Sequence, residues 1–126
     1  MKIVAKAMIK QIDRVINDLR GQALVFKDQT DRAITVGIVG VNFSESYTGY
    51  EKDRSYPADV PPLREAPKAM ERITQRAAQS FDELLVLPFR VTNVEPFPFS
   101  WVNETETRKS YSAALLRIGN LFDARF

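Results

Sequence analysis

Cysteine and histidine are both absent from this 126-residue chain. Those two absences exclude disulfides, thiolate catalysis and Cys-ligated zinc, and they remove both the commonest metal ligand and the usual general base near neutral pH. Enzyme readings therefore start at a disadvantage, and no catalytic residue is assigned. Long apolar runs are missing too, since none approaches the roughly 20 residues that span a bilayer. Met1-Lys2-Ile3-Val4 leads into a polar, periodic pattern instead of the apolar core of a signal peptide. The expectation is a soluble, cytoplasmic chain with no membrane partner. A glycine-rich phosphate loop is lacking as well: Gly37 and Gly40 sit inside an apolar run, without dinucleotide or P-loop spacing. No cofactor is expected.

Excess charge is small. Lys and Arg number 18 against 16 Asp and Glu, a net charge of +2, with a sequence pI near 9.0. Any attraction to nucleic acid must come from how charge is distributed, not from its total. A content of 44% hydrophobic and 27% charged residues fits one domain over residues 1–126 with its own core. No internal repeat or low-complexity tract interrupts it.

The distribution of charge is the most informative positive feature. Lys2, Lys6, Lys10 and Arg14 recur every fourth residue, and so do Arg64, Lys68, Arg72 and Arg76. Residues four apart share one face of an α-helix, so each series predicts a positive stripe able to follow a phosphate backbone. The plainer alternative is a pair of solvated helix faces, diluted by Asp13, Asp18, Glu65 and Glu71.

Periodicity predicts the elements. Val4, Met8, Ile12, Val15, Ile16 and Leu19 mark an amphipathic helix from residue 3 to residue 19, with Gly21 as its stop. Ala23 to Phe26 read equally as a short strand or as a last irregular turn. The β-branched run from Ala33 to Val41 predicts a strand buried on both faces, with Gly37 and Gly40 admitting a closely packed helix. Pro67 suits the first turn of a second helix carrying Met70, Ile73, Ala77 and Phe81. A strand follows over residues 83–92, with Pro88 pointing to a sheet edge or bulge. Asn103 and Glu106 resemble the start of a third helix that buries Ala114, Leu115, Ile118, Leu121 and Phe122. Helix, strand, helix, strand, helix implies an α/β fold: a small, mostly parallel sheet flanked by three helices.

Ligands of parallel α/β sheets meet the loops at the strand carboxyl ends. Residues 42–57 and 93–103 hold seven of the thirteen aromatics, including Tyr47, Tyr50, Phe97, Phe99 and Trp101. With Asn42, Glu51, Asp53, Arg54 and Asn93 they make a candidate surface for a protein partner or small ligand. A self-packed loop explains the aromatics equally well. Glu45, Glu51 and Asp53 beside Lys52 would suit a hard cation, but acids so close to Lys52 and Arg54 more often pair with them or face water. No metal ligand is assigned.

Five blocks carry a resemblance: Ala33 to Asn42, Tyr47 to Arg54, Phe81 to Arg90, Pro96 to Trp101 and Tyr111 to Ile118. They resemble the carboxyl-terminal part of uncharacterised bacterial proteins of restriction-endonuclease-like type, over residues 33–126. That family is defined by an acidic residue followed by Glu-x-Lys or Gln-x-Lys on adjoining strands. Here Lys27 follows Val25-Phe26, and Lys52 follows Glu51 within a loop. The pattern is missing, so no catalytic residue carries over. The resemblance implies a partial nuclease-like module that binds nucleic acid or completes a partner, in a bacterial or phage setting of phage defence or mobile elements.

Three functional expectations follow. The first is a non-catalytic module in a complex, with basic helix faces on nucleic acid and aromatic loops on a protein partner. The second is a metal-dependent nuclease-like enzyme or small-ligand binder using the strand-end loops. The third is a structural subunit of a homo-oligomer.

Overall fold

A computed structural model describes residues 1–4, 8–29, 32–45, 61–92, 95–96 and 98–126, with the backbone alone at 9 and 10. The elements are β1 (Lys2–Val4), α1 (Met8–Gln29), β2 (Val36–Asn42), α2 (Pro62–Ala77) with a short 3-10 turn (Ala78–Ser80), β3 (Glu83–Val91), β4 (Phe99–Trp101) and α3 (Glu104–Arg125). The expected α/β layout is present. Four strands lie in the order β1-β2-β3-β4, the first three parallel and β4 antiparallel to β3.

Helix α1 differs from its predicted span at both ends. Its first apolar positions instead form β1, whose Ile3 lies opposite Gly40 of β2. Gly21 does not stop it, because Leu19 and Ala23 on either side are both buried. Packing on that scale outweighs the ~1 kcal/mol penalty of one mid-helix glycine. Residues 23–26 are accordingly helix, neither strand nor irregular turn. Helix α2 begins five residues before Pro67: Pro62 takes the first helical position, where a missing N–H is harmless, and Pro67 stands on an exposed flank inside the helix.

Helices α1 and α2 share one face of the sheet. Met8, Ile12, Ile16 and Leu19 of α1 pack with Ala66, Ala69, Ile73 and Ala77 of α2 over Val39 and Val41 of β2. The small alanines let α2 approach closely. The amino terminus of α1 is tied to its neighbour, since the Met8 N–H donates to Glu65 Oε2 at 2.7 Å. A carboxylate there meets the positive end of the helix dipole. Glu65→Ala is expected to lower the unfolding free energy by about 1 kcal/mol, measured by urea denaturation.

Among the described residues, the other sheet face is covered by α3, which packs along β3. Arg117 Nε donates to Glu83 Oε2 at 2.9 Å, and Ala114 is buried. Asn103 caps α3, its Oδ1 accepting from the Glu106 N–H at 3.0 Å, as the sequence predicts. The predicted buried face of α3 is a correction: Leu115 and Phe122 remain 51% and 55% exposed. Their flank of the helix overhangs strands that α3 does not cover. Val36 of β2, on the same face as α3, is 40% exposed.

The two strand glycines are filled by side chains of the sheet, not by a helix. A Cβ on Gly37 would lie 2.8 Å from Leu84 Cδ1, and one on Gly40 would lie 2.8 Å from Phe89 Cε1. Pro88 stands in a strand with neighbours on both sides, and the antiparallel ladder ends at it. The Phe89 carbonyl faces β2, accepting from the Phe43 N–H at 2.7 Å, so the preceding residue faces β4. There the Pro88 carbonyl accepts from Val102 at 3.3 Å, and no N–H is present to return the bond. Strand β4 stops one residue earlier, at Trp101.

Candidate nucleic-acid interface

The first cationic series is divided by the fold. Lys2 stands on β1, with Nζ 3.8 Å from Asp18 Oδ2 of α1, and so does not continue a helical stripe. Arg14 is exposed on α1. Lys6 lies outside the described residues, as does the side chain of Lys10. The second series is held entirely by α2, where Arg64, Lys68 and Arg76 are exposed and Arg72 is half-buried.

Because α1 and α2 lie side by side in one layer, Arg14 and the α2 series are on the same side of the sheet. That relation was open in the sequence. Three acids that would dilute the layer are engaged: Asp13 pairs with Arg76, Asp18 with Lys2, and Glu65 accepts from Met8. Among the described residues, Arg14, Arg64, Lys68 and Arg72 have no ion-pair partner. Glu71 accepts from its own-helix neighbour Gln75 at 3.3 Å.

The strand-end residues separate into different roles. Asn42 is fully buried; its Nδ2 donates to the Val91 carbonyl at 3.0 Å, while its Oδ1 accepts from Val91 N–H at 3.2 Å and Ser44 N–H at 3.0 Å. It ties the ends of β2 and β3 together from inside the fold. Phe99 and Trp101 belong to β4, 56% and 37% exposed. The rings of Phe89, Phe99 and Trp101 form a chain, stacked at 5.6 Å and then edge-to-face at 5.1 Å. Tyr47, Tyr50, Glu51, Asp53, Arg54, Asn93 and Phe97 lie outside the described residues. So do Glu51 and Asp53 as partners for Glu45, which is exposed. Among the described residues no group of three acids could hold a metal ion. Lys27, a nuclease-motif candidate by sequence, is on a helix and not on a strand.

Two ion pairs at the opposite end of the sheet were not anticipated. Asp82 receives Arg125 Nη2 on Oδ1 at 2.7 Å and the Thr35 N–H on Oδ2 at 2.9 Å. Arg125 above all, with Thr35 adding to it, holds this carboxyl down at about 2 against the opposing pull of burial. Arg117 likewise holds Glu83 below the ordinary carboxylate range, also against burial. The arginines move in the other direction, each raised by its carboxylate. These pairs fasten α3 to the sheet. Sequence distance concealed them, because Arg125 and Asp82 are 43 residues apart.

No family model, curated protein or solved structure matches the chain. Among the described residues, no helix is long and apolar enough to cross a membrane.

Proposed function

We propose that the chain is a non-catalytic α/β module that contacts nucleic acid through the outer surface of α1 and α2. The observation carrying this reading is a single layer in which, among the described residues, Arg14, Arg64, Lys68 and Arg72 have no ion-pair partner, while Asp13 and Asp18 are paired with cations of the fold and Glu65 is turned to the Met8 N–H. Unpaired cations on one surface displace condensed counterions from a phosphate backbone without reading base sequence. Phe99 and Trp101 on β4 would then serve a protein partner, and a role in phage defence or mobile elements follows from the nuclease-like resemblance alone.

The test is fluorescence-polarisation binding to labelled single- and double-stranded DNA and RNA. Four phosphate contacts predict a roughly 100-fold loss of duplex affinity between about 50 and 200 mM salt. Replacing Arg14, Arg64, Lys68 and Arg72 together by glutamine is expected to flatten that salt dependence and weaken binding to all sequences alike. No binding at the lower salt, or an unchanged salt slope in the fourfold variant, would remove the proposal.

A further inference from the structure

The two sheet faces are unequally covered. Among the described residues, two helices, α1 and α2, enclose one face, and α3 lies by itself on the other, along β3. Register places Val36, Ile38 and Gly40 of β2 on the α3 side, because Val36 is opposite Glu83, which Arg117 of α3 grips. Ile3 of β1 joins them, being opposite Gly40. Ile3 is 61% and Val36 40% exposed, so the face above β1 and β2 is an open apolar floor. Two strands about 5 Å apart make a strip one helix wide, a helix being about 10 Å across.

The flank of α3 bordering that strip is apolar as well. Lys109, Ser110, Ala113 and Arg117 line a cleft with Leu84 and Val86 at the outer edge of β3, which fixes one flank of α3 on that side. Helical periodicity puts Tyr111, Leu115, Ile118 and Phe122 on the opposite flank, above β2 and β1. Tyr111, Leu115 and Phe122 are 51–55% exposed, and Phe126, stacked on Phe122 at 5.0 Å, is 65% exposed. A wall of one apolar helix therefore stands beside a floor on which no helix of the described residues lies.

We propose that the chain forms a two-fold homodimer in which the apolar flank of α3 from each copy fills the strip above β1 and β2 of the other. A two-fold contact uses the same patch on both copies, so wall and floor must lie side by side on one surface. They do here, and the helix that the floor lacks is the helix that the wall presents. The area is at the low end of a stable contact: at these exposures Ile3, Val36, Tyr111, Leu115, Phe122 and Phe126 offer roughly 600 Å², above the ~500 Å² per partner that a biological interface must clear and below the ~800 Å² of a standard one. Such a patch is at the upper limit for a monomer. The face is opposite the α1–α2 layer, so the dimer leaves the basic surface of each copy open.

Sedimentation equilibrium of the full chain tests this. The expected mass is twice 14.4 kDa at micromolar concentration, and a monomer persisting to about 100 µM would overturn the proposal. Leu115→Lys and Phe122→Asp on the wall, and Ile3→Asp on the floor, are each expected to raise the dissociation constant about 30-fold or more. All three positions are more than half exposed, so the variants should keep the far-ultraviolet circular dichroism of the parent. Leu24→Lys, at 62% exposure on α1 across the sheet from the contact, should leave the dimer intact. A dimer that survives the three variants, or that Leu24→Lys disrupts equally, would place the contact elsewhere and overturn the proposal.

Discussion

Asn42→Leu is expected to lower the unfolding free energy by about 3 kcal/mol, the largest loss foreseen for any single polar side chain of this protein. Leucine branches where the fully buried asparagine does and is larger, so no cavity opens and any crowding adds to the loss. What it removes is the set of partners for three main-chain groups: the Val91 carbonyl and N–H and the Ser44 N–H. A buried main-chain group without a partner costs about 1–3 kcal/mol. The effect is local as well, because the Ser44 carbonyl accepts from the Leu63 N–H at 3.0 Å and so begins α2. Chemical denaturation should show a lower midpoint with an unchanged slope. A loss below about 1 kcal/mol would mean that solvent reaches these groups in the variant.

Acid is the second expected liability, and its sign follows from Asp82. This carboxyl is held at about 2 in the folded state, below its ordinary value of 3.8, chiefly by Arg125. A group with a depressed folded-state pKa stabilises the fold fully above its unfolded value and loses that contribution as pH falls through the folded one. The window is therefore from about pH 4 to about pH 2, and the contribution at neutral pH is about 2 kcal/mol. Glu83, lowered by Arg117, acts in the same direction. Asp82→Asn should be less stable than the parent by about 2 kcal/mol at pH 7, with the two curves converging near pH 2. Convergence at a higher pH would show that Arg125 does not grip Asp82 as described. Because Arg125 Nη1 also donates to the Ala33 carbonyl at 2.9 Å, the end of α3 should loosen first on acidification.

Elements with repeated local signals were legible before the fold was known. The β-branched run of β2, the capped start of α3 at Asn103 and the apolar period of α1 each speak within a few residues. Boundaries were less legible where tertiary contact overrode a local signal. Gly21 reads as a stop, yet buried Leu19 and Ala23 carry α1 past it. Lys2 reads as the first member of a helical stripe, yet pairing with β2 makes its segment a strand. For the candidate site, the α2 series survives intact on one helix, whereas Asn42 proves to be an internal tie and not a surface group.

Composition and periodicity alone were enough to establish an α/β chain with parallel pairing and no chemistry that depends on Cys or His. Those properties depend on residue identity and on spacings of two to four, which any reader of the chain can measure. The fold decided three matters that no short window contains. It placed α1 and α2 in one layer, it engaged Asp13, Asp18 and Glu65 with partners far along the chain, and it left the flank of α3 uncovered. Each depends on contacts between residues 16 to 63 positions apart, where register and crossover, rather than local preference, determine which side chains meet.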